Sequence, residues 1–131
     1  MEEEIRKVID TLDYSQILYY KNDDNKDILK KLIKNNETYI DYINKLKDYK
    51  YVDEIDEIHI GRYIRWINKY NKLTKGAFIA DIYYKNDNIY ILCKKYKYLF
   101  SINFNECYIF QKYNNSEILI FELLNHYNIY E

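Results

Sequence analysis

The chain has 131 residues, enough for one hydrophobic core but not for two generous ones, and its formal net charge of −1 conceals a strong segregation. Residues 1–60 hold 10 Lys and Arg against 15 Asp and Glu, residues 61–113 hold 10 against 3, and residues 114–131 hold 0 against 3. The 48% hydrophobic content argues against wholesale disorder, no apolar run approaches the roughly 20 residues of a membrane span, and Met1-Glu2-Glu3-Glu4 is the opposite of a basic signal-peptide start, so a folded, soluble, intracellular chain is expected.

The first predicted element is a helix over residues 2–13, where Ile5, Val8, Ile9 and Leu12 follow helical spacing and Glu2, Glu3 and Glu4 suit its positive end. Asp24 or Asn25 can cap a second helix that places Ile28, Leu29, Leu32 and Ile33 inward and ends near Asn35 and Asn36. A third runs from Glu37 through Tyr39, Ile40, Ile43 and Leu46 to Tyr49 or Lys50, before an acidic connection over residues 53–57. From Ile60 the period shortens, and strands are expected over residues 60–68, 77–84, 88–95, 98–104 and 107–113. Tyr98, Phe100, Ile102 and Phe104 alternate with Leu99, Ser101 and Asn103, the pattern of a half-buried antiparallel strand. With no proline, turns fall to residues that tolerate positive φ, at Lys75-Gly76 and at Lys85-Asn86-Asp87-Asn88. Residues 116–127 read as a capped helix, with a final strand as the alternative. Cys93 and Cys107 lie in strand-like apolar surroundings and read as small core hydrophobes.

The expected architecture is α+β: N-terminal amphipathic helices and a C-terminal helix packed on a small five-stranded antiparallel barrel. Residues 1–59 form the acidic helical segment, 60–113 the basic barrel and 114–131 the last helix of one compact unit.

Three stretches carry a resemblance: Gly61-Arg62-Tyr63-Ile64-Arg65-Trp66-Ile67-Asn68, Leu73-Thr74-Lys75-Gly76-Ala77-Phe78-Ile79-Ala80-Asp81-Ile82, and Ile109-Phe110-Gln111-Lys112. Together they resemble small uncharacterised proteins of giant nucleocytoplasmic large DNA viruses, in which a Leu-Thr-x-Gly-Gly turn leads into the second strand. Here the second glycine is Ala77. The resemblance spans residues 60–125 and implies an SH3-like or related barrel, with no established activity attached. A viral origin would place the protein in the host cytoplasm or the virion.

On the first strand Arg62, Ile64 and Trp66 share one side and Tyr63, Arg65 and Ile67 the other, so each side pairs an arginine with an aromatic that can stack a base. The structural alternative puts Ile64 and Trp66 in the core and pairs the arginines with the acids of residues 53–57. Lys94, Lys95 and Lys97, interleaved with Tyr96 and Tyr98, are the densest basic and aromatic cluster and can track phosphate without reading sequence. An aromatic cage of the Tudor-like kind would need Trp66, Tyr83, Tyr84 and Asp81 to converge. Asp81 ahead of a strand ending Cys93-Lys94-Lys95 has the order of a metal-dependent nuclease core, but the acid required two residues before the lysine is Leu92. No local metal-ligand spacing, phosphate loop or nucleophile elbow is present, and no metal, cofactor or catalytic residue is expected. The leading expectation is a non-enzymatic interaction or structural subunit with a protein partner. A sequence-tolerant nucleic-acid binder using Arg62, Tyr63, Arg65, Trp66, Lys94, Lys95 and Lys97 is the alternative, and a methylated-peptide reader the third reading.

Overall fold

The chain divides into two units in the computed structural model, which describes residues 24–127 and, ahead of them, Glu3 and Lys7. One unit is residues 24–112; the other combines residues 1–23 with 113–131. Glu3 and Lys7 are helical, and the rest of the helix expected over residues 2–13 lies outside the described residues.

In the larger unit, helix α1 spans Asp24–Leu32 and α2 spans Asn36–Lys45, the second opened by Asn35, whose Oδ1 accepts from the Thr38 N–H at 2.9 Å. Six strands follow: β1 Tyr49–Val52, β2 Tyr63–Ile67, β3 Ala77–Lys85, β4 Asn88–Lys95, β5 Tyr98–Asn103 and β6 Tyr108–Lys112. They form one antiparallel sheet in the order β1-β6-β2-β3-β4-β5.

Two expectations are corrected. Tyr49 and Lys50, read as the end of the third helix, begin β1: the Leu46 N–H closes α2 on Tyr42 O, and after the turn at 46–48 the residues Tyr49–Val52 pair with β6. The expected closed five-stranded barrel is instead an open six-stranded sheet, whose end strands β1 and β5 are not paired with each other. The sheet nevertheless rolls. Trp66 on β2 and Phe100 on β5 lie three strand spacings apart, about 14 Å on a flat sheet, yet their ring centroids are 6.0 Å apart. The bulge between Ile79 and Asp81 on β3 adds local bending and twist to the middle of this arc.

The rolled inner face holds one core: Val52, Ile64, Trp66, Ala77, Ile79, Ile91, Cys93 and Ile109, closed at its ends by Ile55 and Ile58 and by Phe104 and Cys107. Gln111, buried within the same face, receives the His59 N–H at 2.8 Å and donates to Glu57 O at 2.9 Å, latching the 55–59 segment across the inner face. The opposite face carries a second core in which α1 and α2 place Leu29, Ile33 and Leu46 on Ile67 and Phe110. Asn25, expected as a helix cap, reaches instead to the outer edge of β1. Its Nδ2 donates to Leu46 O at 3.3 Å and Tyr49 O at 2.8 Å, and its Oδ1 accepts from the Tyr51 N–H at 2.8 Å. The side-chain amide thus supplies the pairing that a neighbouring strand would. Lys50, 5% exposed, is held by Asp24 at 3.0 Å.

In the smaller unit, helix α3 spans Asn115–Tyr127. A reciprocal cap starts it: the Asn114 N–H donates to Glu117 Oε1 at 3.0 Å and the Glu117 N–H to Asn114 Oδ1 at 2.8 Å. Among the described residues no helix is long and apolar enough to cross a membrane.

Candidate functional site

The residues singled out on β2 are occupied in holding the fold. Trp66 is 7% exposed and faces the inner core. Arg65 points to the other face, where its Nε donates to Thr74 O at 2.9 Å, while Thr74 Oγ1 receives the Trp66 N–H at 3.1 Å. Arg65 pairs with Phe110 of the helix-covered core, where burial pushes the Tyr49 hydroxyl pKa upward and the Arg65 guanidinium opposes it. Arg62 Nη1 donates to Lys112 O at 3.3 Å, and the Tyr63 hydroxyl donates to Lys75 O at 2.8 Å. Both Tyr63 and Arg65 lie over Gly76, whose φ of 95° and missing side chain leave them room.

The three lysines separate. Adjacent strand residues point to opposite faces, so Lys94 projects outward and Lys95 inward, while Lys97 sits in the β4–β5 turn. The cage residues separate by the same rule: Trp66 and Tyr84 belong to the inner side of the sheet, Tyr83 and Asp81 to the outer. These four do not converge.

What the sheet does bring together is a cross-strand row on its outer face. The pairings Tyr63↔Phe78, Phe78↔Lys94 and Lys94↔Leu99 set these four side by side across β2, β3, β4 and β5. Tyr63 and Phe78 meet edge to face at 5.0 Å between ring centroids. The next rows are Asp81, Leu92 and Ser101, then Tyr83, Tyr90 and Asn103, with the Tyr83 and Tyr90 rings stacked at 5.4 Å and the Tyr83 hydroxyl on Ser101 Oγ at 2.8 Å. Within this unit α1 and α2 cover the β1, β6 and β2 part of the outer face and leave this part open. Phe78 is 55% exposed and Leu99 61%.

The row continues into a bare edge. β5, read from its alternation as half-buried, is the last strand of the sheet, and Tyr98, Leu99, Phe100 and Ser101 are all exposed. The alternation is real, since Phe100 and Ile102 do turn toward the inner core, but periodicity reports the face of a strand and not its place in the sheet. Phe78, Leu92 and Leu99 were not singled out from sequence. The only available signal was their parity with Lys94 once β3, β4 and β5 are aligned as a meander.

Two adjoining clefts flank Tyr51 and Asp53, one against α1 and the other against the 104–108 segment that leads from β5 to β6. One of about 320 Å³ is lined by Asp24, Asp27, Ile28, Lys31, Tyr51 and Asp53, and one of about 260 Å³ by residues that include Tyr51, Asp53, Phe104, Glu106 and Tyr108. Among the described residues no three His, Cys, Asp or Glu side chains are grouped to hold a metal ion. Cys93 and Cys107 are free thiols; burial pushes the Cys93 pKa up to about 12 and raises that of Cys107, the reverse of an activated nucleophile.

The chain matches no protein-family model, no curated protein and no solved structure.

Proposed function

We propose that this protein is a non-enzymatic docking subunit that binds a protein partner through the open outer face of β3, β4 and β5 and the adjoining β5 edge. The observation that carries the reading is the exposed row Phe78, Lys94 and Leu99, bordered by Tyr63 and Leu92. Apolar and aromatic residues gathered on one face, with a single cation among them, have the composition of a desolvated interface centre. The nucleic-acid alternative draws less support. Lys94 and Lys95 diverge, and Arg65 is engaged with Thr74, so the candidate cations do not line one open surface.

Site-specific crosslinking tests the reading, with a benzophenone side chain placed at Phe78, at Leu99, or at Ile40 on α2 as a control of similar exposure, 50%. Adducts with a discrete protein are expected at 78 and 99 and not at 40. Their absence, or micromolar binding of single- or double-stranded nucleic acid that weakens between roughly 50 and 200 mM salt, overturns it.

A further inference from the structure

The two edges of the sheet are treated in opposite ways. At β1 the Asn25 amide occupies Tyr49 O and the Tyr51 N–H, α1 packs alongside, and Lys50 is tied to Asp24. At β5 none of the usual protections is present: residues 98–103 contain no charge and no proline, and the β4–β5 register runs without a bulge. Lys95 and Tyr98 flank the two-residue turn, so they exchange both hydrogen bonds, and the alternation of an antiparallel ladder directs the N–H and C=O groups of Leu99 and Ser101 away from β4. These groups have no other backbone partner among the described residues. Tyr98, Leu99 and Phe100 flank them at 73%, 61% and 37% exposure.

We propose that the occupant of this edge is a second copy of the same chain, paired antiparallel through β5 about a two-fold axis. The proposal rests on the docking reading above and names its partner. An antiparallel two-fold pairing places Leu99 of each copy opposite Ser101 of the other, where their outward groups exchange hydrogen bonds, and brings the two Phe100 side chains together at the axis. It also carries the basic turn of each copy, with Lys97 exposed, toward the other copy's 103–106 end, where Glu106 is exposed. The edge is therefore self-complementary in charge as well as in hydrogen bonding. Because β1 is blocked, the described residues of each chain offer one free sheet edge, and pairing through it closes at two copies instead of growing into a filament. The outer rows of both sheets, each with its Phe78, Lys94 and Leu99, would then run into one another.

Sedimentation equilibrium from roughly 1 to 200 µM, a range that brackets the affinity of a small interface, reads the result directly. The weight-average mass is expected to rise from that of one chain to that of two and to stop there. Leu99→Lys, at an exposed position, and Ser101→Pro, which removes one outward N–H while leaving the β4–β5 ladder intact, should each weaken association at least about 30-fold with unchanged far-ultraviolet circular dichroism. Lys97→Glu should weaken it about 5-fold, and Lys97→Glu combined with Glu106→Lys should restore it. A chain that stays single at 200 µM, or a dimer indifferent to Leu99→Lys, overturns the proposal. The crosslinker at position 99 separates the two readings: an adduct of two identical chains supports self-pairing. An adduct with a different protein refutes self-pairing alone, and no adduct refutes both.

Discussion

Replacing Gly76 by alanine tests how the β2–β3 turn is built. An added Cβ would stand 2.3 Å from Ile64 O, 2.7 Å from Tyr63 Cε1 and 2.9 Å from Arg65 Cγ, at a φ of 95°. The two side chains can give way, but Ile64 sits in mid-ladder between Ala77 and Gln111, so its carbonyl can move only by disturbing two strand pairings. The left-handed backbone costs alanine about 1 to 2 kcal/mol, and forcing the contact adds about 1 to 3 kcal/mol. A loss of about 2 to 5 kcal/mol is therefore expected, a large share of the 5 to 15 kcal/mol of an ordinary domain. Gly61 supplies the control. Its φ is 94°, but nothing lies within 4 Å of the added Cβ, so Gly61→Ala should lose only the backbone part. Urea melts of both variants, read as midpoint shifts at constant slope, give the comparison. Equal losses would show that φ alone explains both glycines and that the close approach of the β2 carbonyl is energetically irrelevant.

Asn25→Ala removes two hydrogen bonds to the β1 edge and one to Leu46 O and should cost about 2 kcal/mol, with exchange of the Tyr51 amide about 30-fold faster; unchanged exchange there would mean water replaces the amide at no loss. Tyr96 holds a φ of 55° at the first position of the β4–β5 turn, so Tyr96→Gly should raise the urea midpoint by the equivalent of about 1 kcal/mol; a lower midpoint would mean that the ring itself stabilises the turn. The Cys93 thiol keeps its proton to about pH 12 in the folded chain, whereas the unfolded thiol loses it near its ordinary value of 9.0. Stability is thus fully present below about pH 9 and falls by up to about 1.4 kcal/mol per unit as pH climbs toward 12, in the same direction as the raised Cys107, Tyr49 and Tyr51 groups. Urea melts at about pH 8 and pH 10 should show the drop, and Cys93→Ala should shrink it; a drop unaffected by that substitution assigns it to other groups.

The basic segment was legible where local chemistry decides. β4 has the bounds read from its alternation, Asn86 and Asp87 take the positive φ of 50° and 63° that a two-residue hairpin needs, and α3 starts one residue before the expected position, at a cap visible in its sequence. β1 was missed because Tyr49 or Lys50 continues the stripe of the preceding helix as readily as it starts a strand, and only pairing with β6, some sixty residues later, decides between them. The extra strand and the roll of the sheet are long-range outcomes of the same kind. For the site, the divergence of Lys94 and Lys95 follows from strand parity alone and was available in advance; basic density along the chain does not by itself become density on one face. The open row of Phe78 and Leu99 depends on which part of the sheet α1 and α2 cover, and no single-strand pattern records that.

The position of β6 between β1 and β2 governs the order in which the fold can be made. Strands β2 to β5 are linked by sequential pairings and can form as each leaves the ribosome, but β1, synthesised before all of them, has no ladder partner until residues 109–112 emerge. Phe110 arrives with the same strand, and without it Leu29, Ile33 and Leu46 lack one of the two fully buried sheet residues on which they pack. The helical and sheet parts of residues 24–112 are therefore joined last, by a five-residue strand that must insert between two waiting edges. A nascent chain halted before residue 108 would display the β1 and β2 edges together, and that interval, not the finished molecule, is when mispairing is most exposed.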